Sequence, residues 1–183
     1  MKNAYILPAL LALIAAATTC AHARPVSGFG VDAGLVASRM NDPVAGSYQS
    51  NGLSLGLDYQ FAVSESLSLN PFLMTSAESA TGGTLQSGTH ASHDDIGLEM
   101  RYWIGSAFVG GHLFHQTEVL SHTVGNVTTS TTAGGGGLGL VGGWQDPDSG
   151  LFVMGQLDGA RVHYPTSTAK VSEVRVSMGY RWR

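Results

Sequence analysis

Between residues 53 and 63 every second position is apolar or aromatic: Leu53, Leu55, Leu57, Tyr59, Phe61 and Val63. The positions between them are Ser54, Gly56, Asp58, Gln60 and Ala62. A period of two predicts a β-strand with one apolar face. The same alternation recurs along the chain. Phe29, Val31, Ala33, Leu35 and Ala37 form an earlier row, and Leu67, Leu69, Pro71, Leu73 and Thr75 a weaker third. Ile96, Leu98, Met100, Tyr102 and Ile104 form a fourth. A fifth strand is predicted over residues 107–119, with its phase left open. Leu138, Leu140, Gly142 and Trp144 mark a sixth, and Leu151, Val153, Gly155 and Leu157 a seventh. Val174, Val176, Met178, Tyr180 and Trp182 mark the eighth, whose other face carries Glu173, Arg175 and Arg181.

The connections alternate in length. SES joins strands two and three, GS joins four and five, and DPDSG joins six and seven; these are tight-turn sequences. The remaining connections are longer and polar, at 40–49, 78–92 and 120–132, with the shorter PTSTA before the last strand. Transmembrane barrels show this asymmetry, short turns on the periplasmic side and long loops outside. Tyr59, Phe61, Tyr102, Trp144, Tyr180 and Trp182 all fall toward the short-turn ends, as an interfacial aromatic girdle does. The expected fold is all-β, an eight-stranded antiparallel up-and-down transmembrane β-barrel without a second domain. The rival is a soluble lipocalin-type barrel with its faces exchanged, since alternation does not say which face is outside.

Composition favours the membrane form. Charged residues are 12% of the chain, about half the usual ~25% of soluble proteins. The first segment has Lys2, an apolar run and the small-x-small site Ala21-His22-Ala23. It predicts a secretory signal peptide over residues 1–23, leaving 24–183 as the barrel. Cleavage would remove the only cysteine, Cys20, so no disulfide is expected. It also removes Lys2, leaving eight Lys and Arg against 13 Asp and Glu, a net charge of 8 − 13 = −5. That balance disfavours nucleic acid as a partner.

In its eight alternating rows and its loop asymmetry the chain resembles small outer-membrane proteins, namely the OmpX/Ail group and the transmembrane domain of outer-membrane protein A. The terminal Tyr180-x-Trp182, followed here by Arg183, is similar to the aromatic signal read by the barrel-assembly machinery in this class. The resemblance implies a cell outer-membrane location, contact with outer-membrane lipid and lipopolysaccharide, and a monomer.

The face opposite each apolar row predicts the interior. Asp32, Asp58, Gln60, Asn70, Glu99, Arg101, Gln156, Asp158, Glu173, Arg175 and Arg181 fall there. Charges at membrane depth must pair or meet water, and eight strands enclose little more than their own side chains. Asp32, Asp58, Glu99, Arg101, Asp158, Glu173, Arg175 and Arg181 are therefore expected to form an ion-pair network plugging the barrel. Glu99, Arg101, Glu173 and Arg175 are expected within one connected group. The alternative is a narrow small-solute channel.

His90, His93, His122 and His163 are placed at or near the outer loops. HASHDD, residues 90–95, offers two imidazoles and two carboxylates, the ligand types of zinc or copper. The spacing matches no named site, so these residues are expected to be solvated and no metal or cofactor is assigned. His115, Glu118, Ser121 and His122 supply residue types that a lipid A-modifying enzyme would use. Spacing alone does not bring a nucleophile to a base, and no enzyme activity is expected. The expected role is structural or surface-interacting, with loops 40–49, 78–92 and 120–132 meeting an extracellular ligand, because loops on a rigid scaffold carry binding diversity.

Overall fold

The computed structural model describes residues 25–44, 46–82, 88–124 and 126–182. The expected signal peptide, residues 1–23, lies outside them. The eight strands are β1 (Gly28–Asp42), β2 (Gly46–Ala62), β3 (Leu67–Gly82), β4 (Thr89–Ile104), β5 (Ala107–Val124), β6 (Val127–Gln145), β7 (Leu151–His163) and β8 (Thr168–Trp182). Each pairs antiparallel with the next, and β8 returns to β1, with Leu35 opposite Val176, to close the ring. Closure leaves no open edge within the apolar band, so the ladder groups there find partners without water; farther out, residues 127–133 of β6 pair with β5 alone. The tight turns sit where the short connections predicted them. Gly105 and Gly150 there hold φ of 61° and 81°, left-handed values that favour glycine.

The apolar rows face outward. Leu55 is 61% exposed, Leu57 45%, Leu98 52% and Leu140 63%, exposures that water would penalise and lipid tails would not. From Leu53 to Val63 the row rises by about 25 Å at a tilt of ~40°, the height of a barrel's lipid-facing band. Below it stand the girdle residues, with Phe29 against Trp182 at 6.3 Å and Tyr180 against Trp182 at 5.0 Å between ring centres.

Three of the long connections prove to be mostly strand. Residues 40–42 belong to β1 and 46–49 to β2, 78–82 to β3 and 89–92 to β4, 120–124 to β5 and 127–132 to β6. The strands are 13 to 19 residues long, against ~9–11 needed to cross a bilayer. Polarity switches along them. Within the band, outward is apolar and inward polar. Beyond it, Arg39, Gln49, His90, Arg161 and Lys170 are exposed, while Met40, Tyr48, Ala80, Val162, Ala169 and Val171 are buried inside. The outer wall is thus built with its faces arranged as in a soluble barrel. Sequence alternation alone read these polar outward rows as loop.

The phase of β5 is now settled. Phe108, His112, Phe114, Gln116 and Glu118 point inward, and Val109, Leu113 and His115 outward. Glycines make room for the inward aromatics. A β-carbon on Gly137 would stand 2.3 Å from the Phe114 ring, and one on Gly139 2.5 Å from His112 Nε2. The run of glycines at 134–137 lies within a continuous β6, where Gly137 serves this close packing. Gly137→Ala is expected to lower the urea unfolding midpoint by ~1–3 kcal/mol equivalent, the usual cost of overpacking. An unchanged midpoint would show that Phe114 has room to move.

Candidate functional site

All eight residues expected to form the network project into the lumen, as do Gln60, Asn70 and Gln156. Toward the periplasmic end Arg101 pairs with Glu99 on its own strand and lies 3.6 Å from Asp58. Arg181 reaches the same Asp58 at 2.7 Å and donates to the Gly28 carbonyl at 3.2 Å. The two guanidiniums also stack on aromatic rings, Arg101 over Phe108 at 4.5 Å and Arg181 over Phe152 at 5.5 Å. His112 continues the chain of contacts, 3.7 Å from Glu99 and 2.8 Å from Asp158. Farther out, Arg175 pairs with Glu173, donates to Gln156 at 3.0 Å and lies 3.9 Å from Asp95. Asp32 is buried between the two groups.

The expected single group is therefore two. Glu99 with Arg101 and Glu173 with Arg175 each pair along one strand, and among the described residues no ion pair joins the groups. Residues two apart share a face, so each arginine meets the carboxylate beside it before it can cross the lumen.

Sequence reading missed six further inward acids and histidines: Asp42, Glu78, His93, Asp95, His112 and Glu118. Each has the inward parity of its strand, a signal lost for Asp42 and Glu78 when 40–49 and 78–92 were read as loop. The correction is sharpest for His93. Instead of a solvated loop residue, it is a lumen residue with 5% exposure. Its Nδ1 lies 3.0 Å from Glu78 Oε1 and 2.8 Å from the Ser76 hydroxyl, and its Nε2 lies 3.2 Å from Glu173 Oε2 and 3.7 Å from Asp95 Oδ2. Glu78 accepts hydrogen bonds from Ser50, Ser76 and Ser38 at 2.6, 2.7 and 3.0 Å. His90, the other imidazole of HASHDD, faces outward, so the two do not share a site.

Charge in the lumen does not balance. Asp32, Asp42, Asp58, Glu78 and Asp95 point inward, as do Glu99, Glu118, Asp158 and Glu173. Against these nine carboxylates among the described residues stand Arg101, Arg175 and Arg181, an excess of 9 − 3 = 6 negative charges. Protonating both His93 and His112 still leaves four.

Apolar clusters lie on both sides of the polar region. Trp103, Phe108, Val141, Phe152 and Met154 pack together on β4–β7 toward the periplasmic end, beside the buried polar Gln60, Asn70 and Arg181 of the facing strands. Met40, Tyr48, Phe114, Val162, Ala169 and Val171 belong to the cluster on the outer side, where the Tyr48 hydroxyl donates to Glu118 at 3.0 Å.

The residues weighed for lipid A chemistry are not brought together. His115 faces outward and Glu118 inward, Ser121 bonds to Ser130 at 3.0 Å, and His122 lies 3.5 Å from Thr89. Ser76, His93 and Glu173 do line up as hydroxyl, imidazole and carboxylate, but beneath the outer apolar layer and with Glu78 on the same imidazole nitrogen, Nδ1, as Ser76.

No family model matches the sequence, and none of the curated proteins matches it. Solved structures do match by shape. Ail, the attachment invasion locus protein of Yersinia pestis, in complex with the heparin analogue sucrose octasulfate, superposes with a TM-score of 0.62 at 12% identity. The match covers 85% of this chain and 99% of that one. Neisserial surface protein A gives a TM-score of 0.64 at 12% identity, over 85% of this chain and 98% of that one. The fold is that of the small eight-stranded outer-membrane barrels. At such identity the likeness is one of fold, covering nearly the whole of each related chain.

Proposed function

We propose that the protein is a non-conducting outer-membrane barrel whose wall, extended beyond the membrane, presents a polar interaction surface to the cell exterior. The observation that carries this reading is a lumen filled by buried side chains, ion-paired through its middle and covered on the outer side by an apolar layer drawn from all eight strands. A water-filled pore would need a continuous polar path, and side chains of this size fill an eight-stranded ring. The ion pairs beneath that layer act as a rigid plug. Export uses the signal peptide at residues 1–23, and the barrel-assembly machinery reads the terminal aromatic strand. The ring, closed throughout the apolar band, suits a monomer.

Above the apolar band, Arg39, Arg161 and Lys170 lie on the adjoining strands β1, β7 and β8, Arg161 directly opposite Lys170. All three are exposed. At the headgroup level such cations favour the phosphates of lipopolysaccharide, and the Ail structure with its sulfated sugar shows an anionic ligand on a barrel of this shape. Planar-bilayer recording is expected to give no steady openings; regular ohmic steps would defeat the plug and favour a channel. Orientation is tested by an amine-reactive, membrane-impermeant label on intact cells. Labelling at Lys170, abolished in Lys170→Arg, is expected, and labelling only after lysis would reverse the assignment of the outer end.

A further inference from the structure

We propose that the outer half of the lumen holds a site for one divalent cation of zinc type, with His93 Nε2, Glu173 and Asp95 as ligands and Glu78 on the other imidazole nitrogen. Glu78, His93 and Glu173 each place one potential ligand atom within 4.8 Å of the others. Four ligands at the ~2.1 Å bonds of zinc stand about 3.4 Å apart. His93 Nε2 already stands 3.2 Å from Glu173 and 3.7 Å from Asp95, near that spacing from both, and water would take the fourth position. One nitrogen with carboxylate oxygens suits zinc or a similar first-row ion. Calcium would ask for six to eight oxygens.

Two observations separate this cluster from an ordinary group of acids. First, His93 Nε2 and Asp95 Oδ1 are fully buried and lack a hydrogen-bond partner, although Glu173 and Asp95 lie beside the imidazole nitrogen. A buried polar atom aimed at carboxylates without a hydrogen bond calls for a further charged partner. Second, the excess of carboxylates over guanidiniums in the lumen is largest in need of cations here, where Glu78, Asp95 and Glu173 meet and only Arg175 is near. A dication would offset it directly. The ligands are also held by an outer shell of the kind metal sites use: Glu78, which accepts from Ser38, Ser50 and Ser76, lies 3.0 Å from His93 Nδ1, and Ser38 also reaches Glu173 at 3.3 Å.

The ion would act as a clasp. Glu78 and His93 stand on β3 and β4, and Glu173 on β8, across the ring. Coordination would tie opposite walls together beneath the outer apolar layer. Because that layer covers the site, the ion would enter as the barrel forms and leave slowly.

The test unfolds the purified protein in urea with EDTA and refolds it into detergent micelles with or without zinc. Metal content after gel filtration and the urea midpoint are the readouts. The wild type is expected to retain one zinc per chain and to unfold at higher urea when it does. His93→Gln and Glu173→Gln are each expected to lose both the zinc and the zinc-dependent shift, whereas Glu118→Gln keeps them. X-ray absorption at the zinc edge of the wild type needs no variant, and a shell of one imidazole with carboxylate oxygens is expected. Wild type refolded without bound zinc, zinc retained by His93→Gln, or a shell with two or more imidazoles from the outward histidines would each overturn the proposal.

Discussion

Arg101→Ala is expected to lower the urea unfolding midpoint of the protein in detergent micelles by the equivalent of ~3–5 kcal/mol. The side chain is 2% exposed and holds two carboxylates at once, Glu99 and Asp58. Deleting the guanidinium leaves those charges buried with fewer counter-charges, in a lumen that already carries an excess of acids. Arg181 still reaches Asp58 at 2.7 Å, but Glu99 keeps only the imidazole of His112 at 3.7 Å. The lost stacking on Phe108 adds to the cost. Lys170→Ala is the control. Lys170 lies in β8 rather than in a loop, yet it faces outward and is exposed, so removing it should shift the midpoint little. If Arg101→Ala unfolds like the wild type, the inner cluster does not hold the barrel together.

Leu57→Arg is expected to destabilise the barrel in lipid vesicles by ~2–4 kcal/mol, the cost of a cation near the bilayer midplane. Leu57 is 45% exposed, sits between Val31 and Leu73 on the neighbouring strands, and lies midway between the girdle and the outer polar rows. Gln49→Arg, on the same face of the same strand but above the band, should cost ~0–1 kcal/mol. The contrast between the two variants measures where the membrane ends. Equal effects would mean that the apolar rows do not mark the bilayer, and would return the soluble barrel to consideration. The zinc clasp does not depend on this outcome, because it rests on the lumen alone.

Alternation by itself determined the strand number, the order of the strands and the inward direction of Asp32, Asp58, Glu99, Arg101, Asp158, Glu173, Arg175 and Arg181. It could do so because a strand's side-chain period is two and does not drift, so a row begun at Leu53 still predicts the facing of Phe61. Short turns were legible for a similar local reason: Gly105 and Gly150 supply backbone angles that few other residues adopt. What alternation could not show is where a polar outward row stops being loop and becomes wall. Residues 78–82 and 89–92 carry no apolar face to lipid, and only their ladder with each other and with β2 and β5 makes them strand. Reading them as loop hid Glu78 and misplaced His93. Partner choice was likewise decided in three dimensions. Sequence put Glu99, Arg101, Glu173 and Arg175 on one interior, but the distances across the lumen split them into two clusters. The meeting of Glu78 and His93 with Glu173, some eighty residues farther along the chain, exists only because β8 closes the ring and the narrow lumen brings opposite walls within side-chain reach.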